Sequence, residues 1–277
     1  MDIAVTGGNG RLGRVLIEYL LEHSYGVCNL DRVAPQKPYR LDRPVRFMDI
    51  DLNDLQTLTE AIRGCDAVIH LAAILNPEDL PPGVAYVNNT TISFNVLYAA
   101  SSLGIRRVCL ASSVNALGGA RSRIGRYDYF PVDEGHPTYN QDDYGLSKWV
   151  MEQQADSFAR RYPAMTISSL RFHALPDEPP EGQNLLDTAY VGVARTLWGW
   201  TLISEAARAC ELAINASHTG HEVFFITAQR TCSSIPSLEL ARHAYPIVPI
   251  RGDLSGHKSF YDCSKAARLL GWIHKNI

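Results

Sequence analysis

Three glycines near the amino terminus most constrain how this chain can fold. Gly7, Gly10 and Gly13 lie between an apolar run, residues 3–6, and a helical pattern, residues 11–23. Glycines at this spacing let the backbone turn tightly out of a strand, approach a bound group closely and pack the next helix against the strand. The N–H groups at the start of that helix then face an anion such as a pyrophosphate. The segment therefore predicts a strand–loop–helix unit that binds a dinucleotide.

The rest of the chain alternates between short apolar runs and helical patterns. Strands that lack polar alternation and are separated by helices form parallel sheets covered on both faces. The predicted strands are residues 3–6, 27–30, 45–48, 67–71, 107–111, 165–170 and 223–226, and the predicted helices are residues 11–23, 54–63, 84–103, 144–162, 204–215 and 266–270. We therefore predict an α/β fold, a doubly wound parallel sheet (Rossmann fold) with a small C-terminal substrate-binding lobe.

This pattern becomes less regular after Arg171, which divides the chain into two predicted parts. Residues 1–170 are expected to form the dinucleotide-binding Rossmann domain, which also carries the catalytic groups. Residues 171–277 are expected to complete the sheet and to supply the small substrate-binding lobe. That lobe is expected to pack over the carboxyl ends of the strands, where open α/β sheets bind ligands.

Charge and composition argue against two classes of partner. Twenty-six Lys and Arg against twenty-nine Asp and Glu give a net charge of -3, which leaves no basic excess to neutralise nucleic-acid phosphates. Residues 80–105 carry no charge and are long enough for a bilayer, but their many Asn, Thr and Ser residues favour a buried or interface helix. We expect no nucleic-acid and no membrane partner. The scattered cysteines and the apolar strand directly after Met1 predict reduced thiols and a cytoplasmic location.

Asp31 ends the second predicted strand, downstream of the glycine-rich loop. A carboxylate at this corner accepts hydrogen bonds from the adenosine ribose hydroxyls and repels a 2′-phosphate, which favours NAD. Arg32 follows directly, and an arginine here can pair with a 2′-phosphate. The predicted cofactor is therefore NAD, with NADP as the alternative.

Tyr144 and Lys148 form the second informative cluster, because residues four apart lie on one face of a helix. A neighbouring ammonium favours a phenolate, so Lys148 is expected to lower the pKa of Tyr144 and make the phenol a general acid or base. Ser113 follows the fifth predicted strand at the edge where substrates bind, and its hydroxyl can hydrogen-bond the reacting oxygen. Ser112 is the alternative serine. The combination predicts proton transfer coupled to nicotinamide chemistry.

These residues together resemble the extended branch of the short-chain dehydrogenase/reductase superfamily, the NAD-dependent epimerase/dehydratase family. The matching segments are residues 6–13 (TGGNGRLG), 51–52 (DL), 68–73 (VIHLAA), Asn89 with 95–100 (NVLYAA), Ser113 with Gly118, Tyr144 with Lys148, and 262–266 (DCSKA) with 270–272 (LGW). The resemblance extends over nearly the whole chain and is nearest to compact members such as uronate and aldose dehydrogenases.

The resemblance implies a role for each matching residue. Tyr144 would exchange a proton with the substrate oxygen, Ser113 would orient that oxygen, and Lys148 would also hold the nicotinamide ribose. The predicted cofactor-binding residues are Gly7, Asn9, Gly10, Arg11, Leu12, Gly13, Asp31, Arg32, Asp51, Leu52, Leu71, Ala72, Ala73, Asn89, Tyr144 and Lys148.

Two departures from the family's patterns narrow the reaction. Sugar-nucleotide dehydratases carry an Asp-Glu pair after the strand-five hydroxyl residue, whereas Val114 and Asn115 follow Ser113 here. Nucleotide-sugar epimerases usually carry an Asn where Ala174 stands. Dehydration is therefore not expected, and epimerisation becomes the alternative to a net oxidation or reduction.

The predicted function is an NAD(P)-dependent oxidoreductase acting on a sugar, a sugar acid or a similar polyhydroxy small molecule. Ser113, Asn115, Arg171 and His173 are the candidate substrate-binding residues. Arg171 is able to pair with a carboxylate or to hydrogen-bond sugar hydroxyls, and the alternative is that it braces the loop after the sixth strand. For Asn115 and His173 the alternative is that they only shape the pocket. Leu75, however, stands where the related dehydrogenases carry a polar residue. The alternatives are an NAD-dependent nucleotide-sugar epimerase and a non-catalytic dinucleotide-binding sensor.

Two further expectations concern metals and assembly. His70 has no second ligand at helical or hairpin spacing, so we predict no metal site. In the extended branch the helices corresponding to residues 84–103 and to the helix from Tyr144 pair across a dimer. We therefore expect a homodimer joined by a four-helix bundle.

Overall fold

The computed structural model describes residues 1–40, 44–76, 80–119, 121–123, 125–180, 182 and 191–275. Its strands are β1 (Asp2–Thr6), β2 (Gly26–Asp31), β3 (Val45–Asp49), β4 (Ala67–His70), β5 (Arg107–Ser113), β6 (Thr166–Phe172) and β7 (Gly220–Ile226). Its α-helices are α1 (Arg11–Glu22), α2 (Leu55–Ala61), α3 (Val84–Ser102), α4 (Asp143–Arg161), α5 (Val191–Arg195), α6 (Ile203–Ile214), α7 (Ser237–Ala244) and α8 (Ser264–Leu270).

The described strands form one parallel sheet in the order β3-β2-β1-β4-β5-β6-β7. The chain winds outward from β1 to β3 and then crosses back to β4, which pairs with the other side of β1. Open α/β sheets bind ligands at such a switch point, outside the carboxyl ends of the strands. The sheet confirms the predicted doubly wound α/β fold and places a ligand site beside β1 and β4.

Both faces of the sheet are buried, which explains the lack of polar alternation in the strand sequences. Ile3 and Val5 of β1 pack into the core that contains α1 and α6. Ala4, between them, packs into the opposite core with residues of α2, α3 and α4. Helices therefore cover the sheet on both sides, as the alternating pattern predicted.

The uncharged stretch of the sequence forms α3. Ile92 and Val96 on one side of this helix are buried, whereas Val87 and Phe94 on the other side are exposed. Phe94 also contacts Phe158 of α4, with 5.5 Å between the ring centroids. No helix in the described part of the chain is long and apolar enough to cross a membrane.

A separate apolar cluster lies beside β7 and draws on both predicted parts of the chain. Phe130, which precedes α4, packs edge-on against Phe260 at 5.0 Å between ring centroids. Trp198 and Phe225 belong to the same cluster. The lobe predicted for residues 171–277 therefore shares its core with the segment before α4. Residues 181, 183–190, 276 and 277 of that predicted lobe lie outside the described residues.

A buried ion pair fixes α4 to the sheet. Glu152 of α4 accepts two hydrogen bonds from Arg171 of β6, at 2.9 Å from Nε and 2.8 Å from Nη2, and a third from the Ser112 hydroxyl of β5 at 2.6 Å. Only 2% of Glu152 and 5% of Arg171 are exposed. One turn earlier on the helix, Lys148 Nζ donates to the Ala111 carbonyl at 2.7 Å. These bonds set the position of α4 relative to the end of β5.

We predict that Arg171→Met destabilises the protein strongly, because it leaves the Glu152 carboxylate buried without its counter-ion. Removing one partner of a buried pair costs about 3–5 kcal/mol in the free energy of unfolding. The double variant Arg171→Met/Glu152→Leu is expected to recover most of this loss. Urea denaturation measures both. Arg63→Met is the control, since its pair with Glu60 is exposed. A single variant as stable as the native chain would contradict the prediction.

Candidate active site

A cleft of about 600 Å³ runs along the carboxyl ends of the strands from β3 to β6. Its volume is in the usual range for ligand pockets. Most residues predicted from the sequence line it: Gly7, Asn9, Gly10, Arg11, Leu12, Gly13, Asp31, Arg32, Asp51, Leu52, Leu71, Ala72, Ala73, Ser113, Tyr144, Lys148 and His173. The switch point of the sheet therefore brings together residues that are far apart in the sequence.

The glycine-rich loop has no room for side chains where it meets β4. Gly7 has a φ of +69°, and a Cβ atom there would lie 2.7 Å from the backbone nitrogen of Ala72. The same loop begins α1, whose first residue, Arg11, lines the cleft. A backbone cradle at a helix start fits a pyrophosphate, as the glycine spacing predicted.

Asp31 is fixed beside this loop at the end of β2. Its Oδ2 accepts a hydrogen bond from the Asn9 backbone N–H at 2.9 Å, and its Oδ1 accepts one from the Val33 N–H at 3.1 Å. A carboxylate has about four acceptor positions, so both oxygens keep capacity for ribose hydroxyls. The residues at this end of the cleft therefore fit the adenosine half of a dinucleotide.

Ser113, Tyr144 and Lys148 meet at the other end of the cleft, and all three are buried. The Ser113 side chain lies close enough to the phenol of Tyr144 to lower its pKa. The Ser113 Oγ also accepts a hydrogen bond from the Asn115 N–H at 3.1 Å, which orients the hydroxyl. Lys148 Nζ lies 5.6 Å from the centroid of the Tyr144 ring. The three groups thus stand together where a reacting oxygen would bind.

Burial, rather than the neighbouring ammonium, dominates the acidity of these groups. It raises the pKa of Tyr144 above its ordinary value, and it lowers the pKa of Lys148 to about 8. The Ser113 side chain and the charge of Arg121 lower the tyrosine pKa in part. The expectation of a lowered Tyr144 pKa is therefore wrong for this structure, because desolvation outweighs the groups that stabilise the phenolate.

Arg121 contacts the site from outside the cleft lining, and no sequence pattern predicts its position. Its guanidinium carbon lies 5.1 Å from the Tyr144 ring centroid, and its Nη2 donates to the Leu75 carbonyl at 2.7 Å. It links the loop after β4 to the tyrosine at the start of α4. The sequence carried no signal for this contact, because Arg121 is in an irregular segment with no periodic relation to Tyr144.

Three predicted site residues do not line the cleft. Arg171 is bound to Glu152, so its guanidinium is committed inside the fold. Asn89 is buried and pairs with both backbone groups of Ile74, at 2.8 and 3.0 Å, which braces the loop after β4. Asn115 contributes its backbone N–H to Ser113. These three residues therefore stabilise elements that form the site, and the prediction that they contact a ligand is wrong for this structure.

His173 lines the cleft as predicted, and its ring is neutral. Burial lowers its pKa to about 4. Its Nδ1 accepts a hydrogen bond from the Ala174 N–H at 2.7 Å, so Nε2 carries the proton and donates to the Thr196 carbonyl at 2.9 Å. Both ring nitrogens are engaged. Among the described residues, no group of three or more His, Cys, Asp or Glu side chains is placed to hold a metal ion.

Comparison with known proteins identifies relatives of several activities. The chain is 32% identical over 164 residues to a putative UDP-glucose 4-epimerase of Methanocaldococcus jannaschii, a match covering 58% of this chain and 52% of that protein. It is 26% identical to a putative dihydroflavonol 4-reductase of Synechocystis sp., covering 99% and 90%. It is 25% identical to a uronate dehydrogenase of Pseudomonas syringae pv. tomato, covering 80% and 73%. The chain thus spans about half the length of the first relative and most of the other two.

Solved structures share the fold. The UDP-glucose 4-epimerase of Bifidobacterium longum, solved with NAD+ and UDP, superposes with a TM-score of 0.71 at 21% identity, covering 99% of this chain and 94% of that one. Residues 3–177 match the sequence model of the NAD dependent epimerase/dehydratase family. That match covers most of the chain and includes the glycine-rich loop, Asp31, Ser113, Tyr144 and Lys148. The protein therefore belongs to the NAD-dependent epimerase/dehydratase family, whose cofactor is NAD.

Proposed function

We propose that the protein is an NAD-dependent oxidoreductase that interconverts a secondary hydroxyl and a carbonyl on a small molecule. The observation that carries this proposal is the meeting of Ser113, Tyr144 and Lys148 at one end of a cleft whose other end fits adenosine. Among the substrate classes predicted from the sequence, sugar acids are disfavoured. Arg171, the residue expected to bind their carboxylate, is paired with Glu152.

Different residues of the cleft would bind the cofactor and act on the substrate in such a reaction. The glycine-rich loop would hold the pyrophosphate, Asp31 the adenosine ribose and Lys148 the nicotinamide ribose. When bound, NAD supplies the acceptor or donor of hydride. Ser113 orients the substrate oxygen, and the Tyr144 phenol exchanges the proton with it. Since oxidation needs the phenolate and burial raises the pKa of Tyr144, alcohol oxidation should speed up as the pH rises into the alkaline range.

Nucleotide-sugar epimerisation is the second candidate, because the first relative reported above is a putative UDP-glucose 4-epimerase. An epimerase returns the hydride to the same substrate and shows no net change in NADH. A dehydrogenase accumulates NADH. The two activities therefore separate in one assay, in which NADH absorbance and the sugar products are followed together.

We predict that Tyr144→Phe lowers turnover by about 10²–10⁴-fold, the usual contribution of a positioned proton-transfer group. NAD affinity should change little, because the phenol does not hold the dinucleotide. Lys148→Ala should reduce both turnover and NAD affinity, and Ser113→Ala should cost less turnover than Tyr144→Phe. NADH absorbance with a panel of alcohols gives the rates, and calorimetric titration gives the affinities. Near-normal turnover in Tyr144→Phe would overturn the proposal and favour a non-catalytic sensor.

We predict that Arg121→Gln shifts the pH dependence of alcohol oxidation to higher pH. The guanidinium over the Tyr144 ring stabilises the phenolate, so its loss should raise the tyrosine pKa. The pH profile of kcat measures the shift, and Arg121→Lys should restore part of it. Arg126→Gln is the matched control, because Arg126 lies in the same segment over the ring of Tyr139. An unchanged profile in Arg121→Gln would contradict the prediction.

We also propose that the protein is a homodimer joined through α3 and α4. Val87, Phe94 and Tyr98 form an exposed apolar stripe on α3, and Phe94 continues it to Phe158 of α4. The spacing of these residues follows the seam of a helix pair.

We predict that Val87→Glu dissociates this dimer, because it places a charge on a side chain that is 60% exposed in one subunit and buried between two. Static light scattering measures the mass. Ile247→Glu is the control, since Ile247 is 93% exposed far from α3 in the sequence. Only monomer in the native protein at micromolar concentration would refute the dimer.

A further inference from the structure

The charged side chains of the cleft are concentrated at one end. Arg11, Asp31, Arg32 and Asp51 line it near the ends of β1, β2 and β3, where the adenosine half of the dinucleotide fits. Near the ends of β4, β5 and β6, Lys148 is the one charged lining residue in the described part of the chain. Its Nζ is bound to the Ala111 carbonyl, and the side chain is buried. The reaction end of the cleft therefore offers an anionic group little to bind.

Apolar side chains occupy the reaction end instead. Ile74 and Leu75 line the cleft after β4, and Phe172 and Leu175 line it at and after the end of β6. Phe172 is the register partner of Ser113, so its place in the sheet is directly beside the proposed oxygen-orienting residue. Leu75 is 56% exposed although it belongs to the cleft, and its carbonyl is bound to the arginine that covers Tyr144. These four side chains line the part of the cleft that the nicotinamide and a substrate at Tyr144 would share.

Two described cations near the reaction end are engaged within the protein. Arg171 is paired with Glu152. Arg121 donates to the Leu75 carbonyl, lies against the Tyr144 ring and is not among the residues that line the cleft. His173 is uncharged at neutral pH, with both ring nitrogens bonded.

A carboxylate or a diphosphate entering this end would lose its water and would meet only one cation in the lining, the buried Lys148 ammonium, which is already bonded to the Ala111 carbonyl. An apolar ring would instead cover Leu75 and its neighbours, which removes apolar surface from water on both sides. The reacting oxygen alone would need polar contacts, and Ser113 and Tyr144 provide them.

We propose that the substrate is a neutral molecule whose secondary hydroxyl or ketone is carried on an apolar body, such as a fused carbocycle. This inference rests on the proposed oxidoreductase function and replaces the polyhydroxy substrates predicted from the sequence. In the oxidation, the carbinol C–H bond breaks and its hydrogen leaves with two electrons to NAD+. The O–H proton passes through Tyr144 to water, and the C–O bond becomes a carbonyl.

The test compares tetralol, myo-inositol, glucuronate and UDP-glucose as substrates with NAD+. We expect kcat/KM for tetralol to exceed that for myo-inositol by at least about tenfold, since one buried apolar contact alone discriminates about 10–200-fold. Leu75→Asn should raise the KM for tetralol about tenfold and leave kcat nearly unchanged. Ile247→Asn, on an exposed side chain outside the cleft, is the control and should change neither constant.

Two outcomes separate this inference from the proposed function. Tyr144-dependent oxidation of glucuronate or UDP-glucose in preference to tetralol would overturn the substrate class and leave the oxidoreductase function standing. If none of the four is oxidised, the function is in question, and calorimetric titration of the NAD-loaded protein still decides the inference. Tetralone should then bind more tightly than glucuronate, and Leu75→Asn should weaken it. Equal or weaker binding of tetralone would refute the apolar site.

Discussion

The buried contact between Glu152, Arg171 and Ser112 positions the rest of the reaction site. It joins α4 to β5 and β6 within one turn of Lys148 and one residue before Ser113. Tyr144 and Lys148 are on the helix, whereas Ser113 is on the strand, so their mutual geometry depends on how the two elements are held. A buried pair with three hydrogen bonds allows little sliding, because any shift would leave a charge without its partner. Arg171 therefore serves the site by placing α4, even though it does not touch the cleft.

Burial also controls the protonation of the titratable groups that line the reaction end of the cleft. It raises the pKa of Tyr144, lowers that of Lys148 to about 8 and lowers that of His173 to about 4. The three shifts have one cause, since a low-dielectric site disfavours whichever form carries the charge. The charge on Arg121, held outside the cleft lining, opposes this effect at the tyrosine. A cation outside the cleft lining therefore offsets part of the desolvation at Tyr144, the proposed proton-transfer group.

Local patterns in the sequence predicted the parts of the site whose geometry is local. The spacing of Gly7, Gly10 and Gly13, and the spacing of Tyr144 and Lys148, each lie within one loop or one helix, where periodicity has direct structural meaning. The partnership of Arg171 with Glu152 and the placement of Arg121 over Tyr144 depend on packing between separate elements. No single-sequence pattern encodes such contacts, and so Arg171 looked like a substrate ligand and Arg121 went unnoticed. Two short helices, α5 and α7, were also absent from the predicted elements.

The strand order explains why family membership fixes one half of the cleft and leaves the other half to individual side chains. The pyrophosphate cradle and Asp31 are at the ends of β1 and β2, and much of their chemistry comes from backbone N–H groups and glycine geometry. The reaction end is lined by Ile74 and Leu75 after β4 and by Phe172 and Leu175 at and after the end of β6. Leu75 is 56% exposed, so this side chain can change without disturbing the loop or the sheet. Relatives with the same fold can therefore share a cofactor and differ in substrate. In this chain the cations nearest Tyr144 are bound within the protein. The surface that the cleft offers a substrate beside the reacting oxygen is therefore apolar, and this feature would decide which substrate binds.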